Sequence, residues 1–268
     1  METSGRNRLV KALREKIYEI TGNYYPDERM KILEYKIERL VKKLNVNDAS
    51  SEEVVRLLTD NGEVLRELID IITVPETKFF REHEQLKTFF SELLPRERFV
   101  ILGSAGCSTG QEVYTLAMMM AAQKINGKVI GFDINEHAIR KAEKAVYSHK
   151  HVKDIPEEYR VWVDEKPTHI EISPIIKNMT EFKVANLINT GDFIGMMSYF
   201  DAVFCRNVLI YFDRNSKSIA FDNIYMMLKD EGYLILSSTE ILESVFHDKF
   251  EVLKADKFFF YKKKGSSG

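Results

Sequence analysis

Three glycines and one aspartate carry the most direct chemical signal. In the stretch FVILGSAGCSTGQEVY, residues 99–114, the apolar run Phe99-Val100-Ile101-Leu102 breaks into small residues that include Gly103, Gly106 and Gly110. Val113, Leu116, Ala117 and Met120 then recur at helical spacing. Strand, glycine loop and helix in that order turn backbone N–H groups toward a ligand at the carboxyl edge of a sheet. The spacing G-x-x-G-x-x-x-G is not that of the dinucleotide fingerprint, and no Lys follows Gly110 as a Walker loop requires. Asp133 ends the next apolar run, Val129-Ile130-Gly131-Phe132, 23 residues beyond Gly110. A carboxylate so placed can accept hydrogen bonds from two ribose hydroxyls. Each feature also has a purely structural use: a tight strand-to-helix turn for the glycines, and an N-cap ahead of Asn135 and Glu136 for Asp133. Together they favour a nucleoside-bearing ligand.

Such a loop has to hang on a sheet. Phe182-Lys183-Val184-Ala185 runs into Asn186-Leu187, and residues 200–205 (FDAVFC) run into Arg206-Asn207. Tyr233-Leu234-Ile235-Leu236 and residues 257–261 read as further strands, with an amphipathic helix over 219–228. Apolar strands alternating with helices mean an α/β fold with a mostly parallel sheet covered on both faces. Asp133, Asn186, Arg206 and Asn207 then gather at the carboxyl edge, where ligands bind in such sheets. A helix is expected from Glu136 to about Tyr147. Over 148–181 the alternation stops, Pro156, Pro167 and Pro174 punctuate the chain, and residues 161–163 and 169–172 could be short strands. This reads as an inserted small subdomain. His149 and His151 are too few for a metal site, and no metal is expected.

Residues 1–72 read as helical throughout. Val10, Leu13, Ile17 and Ile20 mark one helix that stops near Gly22. Another starts at Pro26-Asp27 and buries Leu33, Ile37, Leu40, Val41 and Leu44. Ser50 to Glu53 is an N-cap signal before Val54, Leu57 and Leu58, and a last helix covers 64–72 after Asn61-Gly62. From residue 1 to 45 there are 11 Lys/Arg and 7 Asp/Glu, a surplus of four, concentrated on the second helix. That basic face is either solvated or docks an acidic partner. Residues 73–90 link the bundle to the sheet, with Phe79 and Phe80 as anchors between the two. Arg81 would then be a cation at a domain seam, where pockets form.

Bulk properties narrow the class. Net charge is −2, which does not favour nucleic acid as a partner. No apolar run approaches the ~20 residues of a membrane span, and the N-terminus has no apolar signal core. Cys107 and Cys205 lie far apart and read as packed, reduced thiols of a cytoplasmic protein. The ending from Lys262 reads as a flexible tail.

Five motifs in order resemble the chemotaxis receptor glutamate methyltransferases, the CheR family: TKFFRE at 77–82, SAGCSTGQEVYTLAM at 104–118, FDIN at 132–135, ANL at 185–187 and FDAVFCRNVLIYFD at 200–213. The resemblance runs from the helical region to Tyr261. It implies a Rossmann-like class I methyltransferase sheet over 91–264, with an N-terminal helical domain (1–72), a linker (73–90), an inserted β-subdomain (about 148–181) and a tail (265–268). It implies S-adenosylmethionine as methyl donor, S-adenosylhomocysteine as product, and glutamate carboxylates on a chemoreceptor's cytoplasmic helices as acceptors. A monomer that neither inserts into membranes nor binds nucleic acid is expected. By motif, Thr77, Arg81, Gly106, Glu112, Asp133, Asn186, Leu187, Arg206 and Asn207 would bind the donor, with Asp133 at the ribose and Asn186 and Leu187 by the adenine. Arg81 and Tyr211 would be catalytic, with Tyr211 near the transferred methyl.

Three departures stand out. Pro75 replaces the Asn usual in the family, and Gln111 replaces its Glu. Residues 148–181 contain no glycine, whereas members that tether a receptor's C-terminal pentapeptide use a glycine-containing loop there. A pentapeptide-independent enzyme is therefore expected. Pro75 keeps open a donor-binding signalling module without turnover, and a methyltransferase acting on another protein is the other alternative.

Overall fold

The computed structural model describes residues 3–46, 50–73, 76–96, 98–243 and 248–265, so Pro75 lies outside the described residues. Four helices come first: α1 (Thr3–Thr21), α2 (Met30–Lys43), α3 (Ser51–Asp60) and α4 (Gly62–Ile72). Their apolar stripes meet in a core of their own around Leu13, Ile17, Leu33, Ile37, Leu40, Leu58 and Leu68. Ser50 and Glu53 form the reciprocal capping box that starts α3, and Asn61 caps α4. No described helix is long and apolar enough to cross a membrane.

The chain then runs through α5 (His83–Thr88), β1 (Val100–Ala105), α6 (Gln111–Ala122), β2 (Gly127–Asp133), α7 (Glu136–Lys144) and β3 (Val146–Ser148). After β4 (Val163–Glu165), β5 (His169–Ile172), α8 (Pro174–Lys177) and β6 (Thr180–Val184) come β7 (Phe200–Cys205), α9 (Arg214–Met227), β8 (Leu228–Leu236), β9 (Phe250–Ala255) and β10 (Phe258–Lys263). Seven strands form one sheet in the order β6-β2-β1-β7-β8-β10-β9. Strands β6 to β8 of that row are parallel, and β10 is antiparallel to both its neighbours. The reversal of order at β1 and β7 makes a crevice at their carboxyl ends. This is the Rossmann-like α/β sheet that the sequence leads one to expect. Apolar layers cover both faces, one with Phe89, Leu116 and Met120, the other with Phe132, Phe221 and Ile224.

Several boundaries differ from the sequence-based expectations. Helix α7 stops at Lys144, not near Tyr147, because Ala145 turns into the left-handed region at φ 57°. Tyr147 instead lies in β3, buried, with its hydroxyl donating to Thr109 O at 2.6 Å. The small sheet β3-β5-β4 thus begins at Val146, and residues 180–181 already belong to the large sheet. Residues 161–162 are 3-10 helical and the strand starts at Val163. Strand β9, unmarked in the sequence reading, pairs with β10. Lys262 and Lys263 are strand, not tail; Lys263 is buried and donates to Leu228 O at 2.7 Å. Phe79 and Phe80 pack not against the helical bundle but against Tyr147, His151, His83 and Tyr159. Their segment is therefore part of the sheet's own core.

What joins the bundle to the sheet is polar. Asn186 Nδ2 donates to Ile20 O at 2.7 Å, and Tyr24 N–H donates to Tyr211 O at 2.8 Å beside the bridge Asn23–Phe212. On the other side Asn135 Nδ2 donates to Thr73 Oγ1 at 2.9 Å and to Asp70 Oδ1 at 3.1 Å. Asn135 also caps α7 through Ala138 N–H, which takes up the capping role considered for Asp133. Asn135→Ala removes a cap and both seam bonds at once. A cap is worth about 1 kcal/mol and each buried hydrogen bond about 1 kcal/mol net, so a loss of roughly 2–3 kcal/mol is expected. A urea unfolding midpoint unchanged by the substitution would contradict this account.

Candidate functional site

The glycine loop is bent by backbone chemistry that the glycines permit. Gly106 (φ 69°) and Gly110 (φ 89°) are left-handed, and Gly106 N–H and Cys107 N–H both donate to Phe132 O, at 2.8 and 3.1 Å. A Cβ on Gly106 would stand 2.4 Å from Val208 Cγ2, so no side chain fits. The loop is thereby stitched to the end of β2. Asp133 completes the stitch: its carboxylate accepts from Ser108 N–H and Asn135 N–H, each at 2.8 Å. Burial pushes the Asp133 carboxyl above its ordinary value of 3.8, against the pull of those two N–H groups.

Beneath the loop lies a buried ion cluster. The Arg206 side chain is 1% exposed and bridges two carboxylates, Glu82 at 2.9 Å and Glu112 at 3.1 Å. Its Nη2 also donates to Arg81 O at 2.6 Å. Glu112 accepts in turn from Ser104 Oγ at 2.8 Å, which fixes it to β1. Glu82 escaped the sequence reading although it ends the TKFFRE motif. Burial alone would raise its carboxyl; the Arg206 guanidinium and the hydrogen bonds from Ser237 and Ser238 outweigh that and hold it low.

A cavity of about 260 Å³ opens between this sheet edge and the helical bundle. All ten residues singled out in the sequence line it: Thr77, Arg81, Gly106, Glu112, Asp133, Asn186, Leu187, Arg206, Asn207 and Tyr211. Asn186 does so with its amide already committed to Ile20 O. The opposite wall, which sequence reasoning did not assemble, comes from Tyr24, Tyr25, Arg29 and Lys36. The surplus of positive charge on the second helix was its only trace. Burial pushes the Tyr25 hydroxyl up to about 12 and lowers Lys36, whose ammonium donates to Ile72 O at 3.0 Å. Among the described residues the Arg29 and Arg81 guanidinium groups have no carboxylate partner. Both act on Tyr211, whose hydroxyl is raised above 10.0 by burial and by the Glu76 carboxylate in the same cavity, while the two arginines pull it down. Among the described residues no cluster of His, Cys, Asp or Glu is arranged for a metal ion. Burial raises both thiols well above their ordinary range, so neither is a ready nucleophile.

The model of the CheR methyltransferase S-adenosylmethionine-binding domain matches residues 75–259. The chain belongs to the CheR methyltransferase family. Its curated relatives include a chemotaxis protein methyltransferase of Borreliella burgdorferi, 28% identical over 88% of this chain and 87% of that protein. Another, from Campylobacter jejuni, is 28% identical over 87% of this chain and 88% of its own length. Chemotaxis protein methyltransferase 2 of Vibrio cholerae is 26% identical over 88% and 87%. This CheR methyltransferase uses S-adenosylmethionine, and the cavity suits that molecule. Three residues that line the cavity carry a buried polar atom without a protein partner: Ser108 Oγ, Arg206 Nε and Asn207 Oδ1. They complement a ligand carrying hydroxyls, a carboxylate and an ammonium group.

The expectation that Asp133 holds the donor's ribose carries a test: burial raises its carboxyl above 3.8, so binding through the ionised form should fade as pH falls toward that raised value, before ordinary aspartates protonate. Asp133→Asn should weaken binding by roughly tenfold and flatten this pH dependence. Calorimetric titration of S-adenosylhomocysteine from neutral pH down to about pH 4 reads both; an unaltered pH profile in the variant would contradict the assignment.

Proposed function

We propose that the protein transfers the methyl group of S-adenosylmethionine to glutamate side-chain carboxylates on the cytoplasmic helices of chemoreceptors, and does so without pentapeptide tethering. The observation that supports this most is the pair of cavity arginines without carboxylate partners, Arg29 from the helical bundle and Arg81 from the sheet domain, whose charges both act on Tyr211. An anionic acceptor at that seam would be gripped by two domains at once.

When bound, the donor supplies an electrophilic methyl on a sulfonium. A glutamate carboxylate is already ionised at pH 7, given a reference pKa near 4.3, so no strong general base is needed. The protein's contribution is then alignment and exclusion of water. Alignment can be worth roughly 7–11 kcal/mol at best. Asp133 would hold the ribose, Asn186 and Leu187 the adenine side, and Thr77, Gly106, Glu112, Arg206 and Asn207 the remainder of the donor. Arg81 offers a planar fork that matches a carboxylate. The Tyr211 hydroxyl stays protonated at neutral pH, being raised by burial, and can donate to the acceptor. Arg29 and the basic residues beside it favour an acidic helix as the acceptor's setting.

The decisive experiment supplies methyl-labelled donor and membranes carrying chemoreceptors, followed by alkali. Carboxyl methyl esters release volatile methanol; N-methyl products do not. Receptor-dependent methanol is expected. Arg81→Ala should lower kcat/KM by roughly 100-fold or more through lost alignment, and Tyr211→Phe less. Absence of label with the donor still bound would refute the transfer reading.

The glycine-free segment 148–181 supports independence from a tether. A receptor's C-terminal pentapeptide should accordingly show no measurable binding by calorimetry; saturable binding would overturn that part of the proposal.

A further inference from the structure

Asn207 turns the chain just after β7 and lines the cavity. Its backbone is left-handed (φ 60°), a conformation that side chains rarely adopt. What holds this turn comes from another loop. Glu240 Oε2 accepts from Asn207 N–H at 2.7 Å and from Ser237 N–H at 3.3 Å. The Asn207 amide nitrogen donates, at a longer 3.4 Å, to Ser237 Oγ. Both nitrogens of Asn207 are therefore turned to the loop after β8, whose residues Ser237 and Glu240 stand outside the cavity lining. An amide is planar, so fixing its nitrogen also fixes where its oxygen points. That oxygen, Oδ1, is buried and has no protein partner among the described residues.

Glu240 is poorly satisfied for a buried carboxyl. Its Oε1 is also buried without a protein partner among the described residues. Burial raises the carboxyl above its ordinary value of 4.5; the N–H groups of Asn207 and Ser237 pull it down, the Glu82 carboxylate raises it further and the Arg206 guanidinium lowers it. A half-met polar group in such a place costs stability, and an apolar side chain of similar volume would fill the space without that cost. The carboxyl does one thing that an apolar side chain cannot. It meets the N–H groups of Asn207 and Ser237 together, and so ties the turn after β7 to the turn after β8.

We propose that Glu240 is a positioning residue of the donor site: from outside the cavity it fixes the left-handed turn at Asn207, and through that turn it sets where Asn207 Oδ1 meets the donor. The proposal rests on the reading that the seam cavity holds the donor. An amide oxygen only accepts, so the donor group it suits is a hydroxyl, an amine or the ammonium. Glu240 acts here by its reach and its acceptor oxygen, not by its charge.

Calorimetric affinity of the full-length protein for S-adenosylhomocysteine tests this. Glu240→Met keeps the volume and removes the acceptor; Glu240→Gln keeps an acceptor oxygen and removes the charge. Asn207→Ala and Glu240→Met should each weaken binding by roughly tenfold, and Glu240→Gln by less than about twofold. The double variant Glu240→Met with Asn207→Ala should bind within about twofold of Asn207→Ala alone, because Glu240 acts through Asn207. Losses that multiply to roughly a hundredfold in the double variant would mean that Glu240 supports the site by another route, and would overturn the inference. So would Glu240→Gln binding as weakly as Glu240→Met, or Asn207→Ala binding like the wild type. Should Glu240→Met not fold, Glu240→Asp takes its place with the same expectations: it keeps the charge but is one methylene too short for the Asn207 N–H. Failure of the wild-type protein to bind the ligand would instead overturn the donor-site reading.

Discussion

The buried guanidinium of Arg206 is the constraint around which the site is built. An arginine with 1% of its side chain exposed is tolerable only when its charge is met on several sides. Here the partners come from segments far apart in sequence: Glu82 before the sheet begins, Glu112 on the first helix of the sheet domain, and the carbonyl of Arg81. Removing any one leaves a charge uncompensated in a low-dielectric setting, which is far costlier than a lost surface pair. The ends of β1 and β7 and the Phe-rich turn at 77–82 are fixed relative to one another by this one ion. The positions of Arg81 and Asn207 follow from it.

Around that centre the molecule divides its labour. The parallel strands give a rigid edge with polar residues at their tips. The glycine loop gives a surface that backbone can offer and side chains cannot obstruct. The bundle adds the outer wall, and brings arginine and lysine to a place where the sheet has mostly acceptors. Polar contacts such as Asn186 to Ile20 O and Asn135 to Thr73 join the two without merging their apolar cores.

Much of this was legible in the residues. The spacing from Gly110 to Asp133 identified the two strand tips that meet at the cavity, because loop and acidic tip are both local signals. Gly106, Asp133, Asn186, Leu187, Arg206 and Asn207 line one cavity for the same reason: each ends or directly follows a strand, and a parallel sheet sends all such ends to one edge. What stayed hidden depended on distant partners. Glu82 and Arg206 are 124 residues apart, and nothing local tells a pairing glutamate from a solvated one. The end of α7 at Lys144 was missed because Ala145, not glycine, takes the left-handed turn. Phe79 and Phe80 have the composition of an anchor, yet only the fold decides that their rings meet Tyr147 and Tyr159 instead of the bundle. Lys263 looked like the start of a polar tail, and only strand pairing shows its ammonium caught by Leu228 O.

The seam has a thermodynamic corollary. Two separately cored bodies supply opposite walls of one cavity, so any ligand that touches both acts as a reversible crosslink between them. By mass action such a ligand adds about 2.7 kcal/mol to the assembled form at a free concentration one hundred times its Kd. The helical layer is then more firmly held when the ligand is plentiful and looser when it is scarce. A cell's supply of a small metabolite would in this way be written into the rigidity of a surface more than a side chain's length away from it.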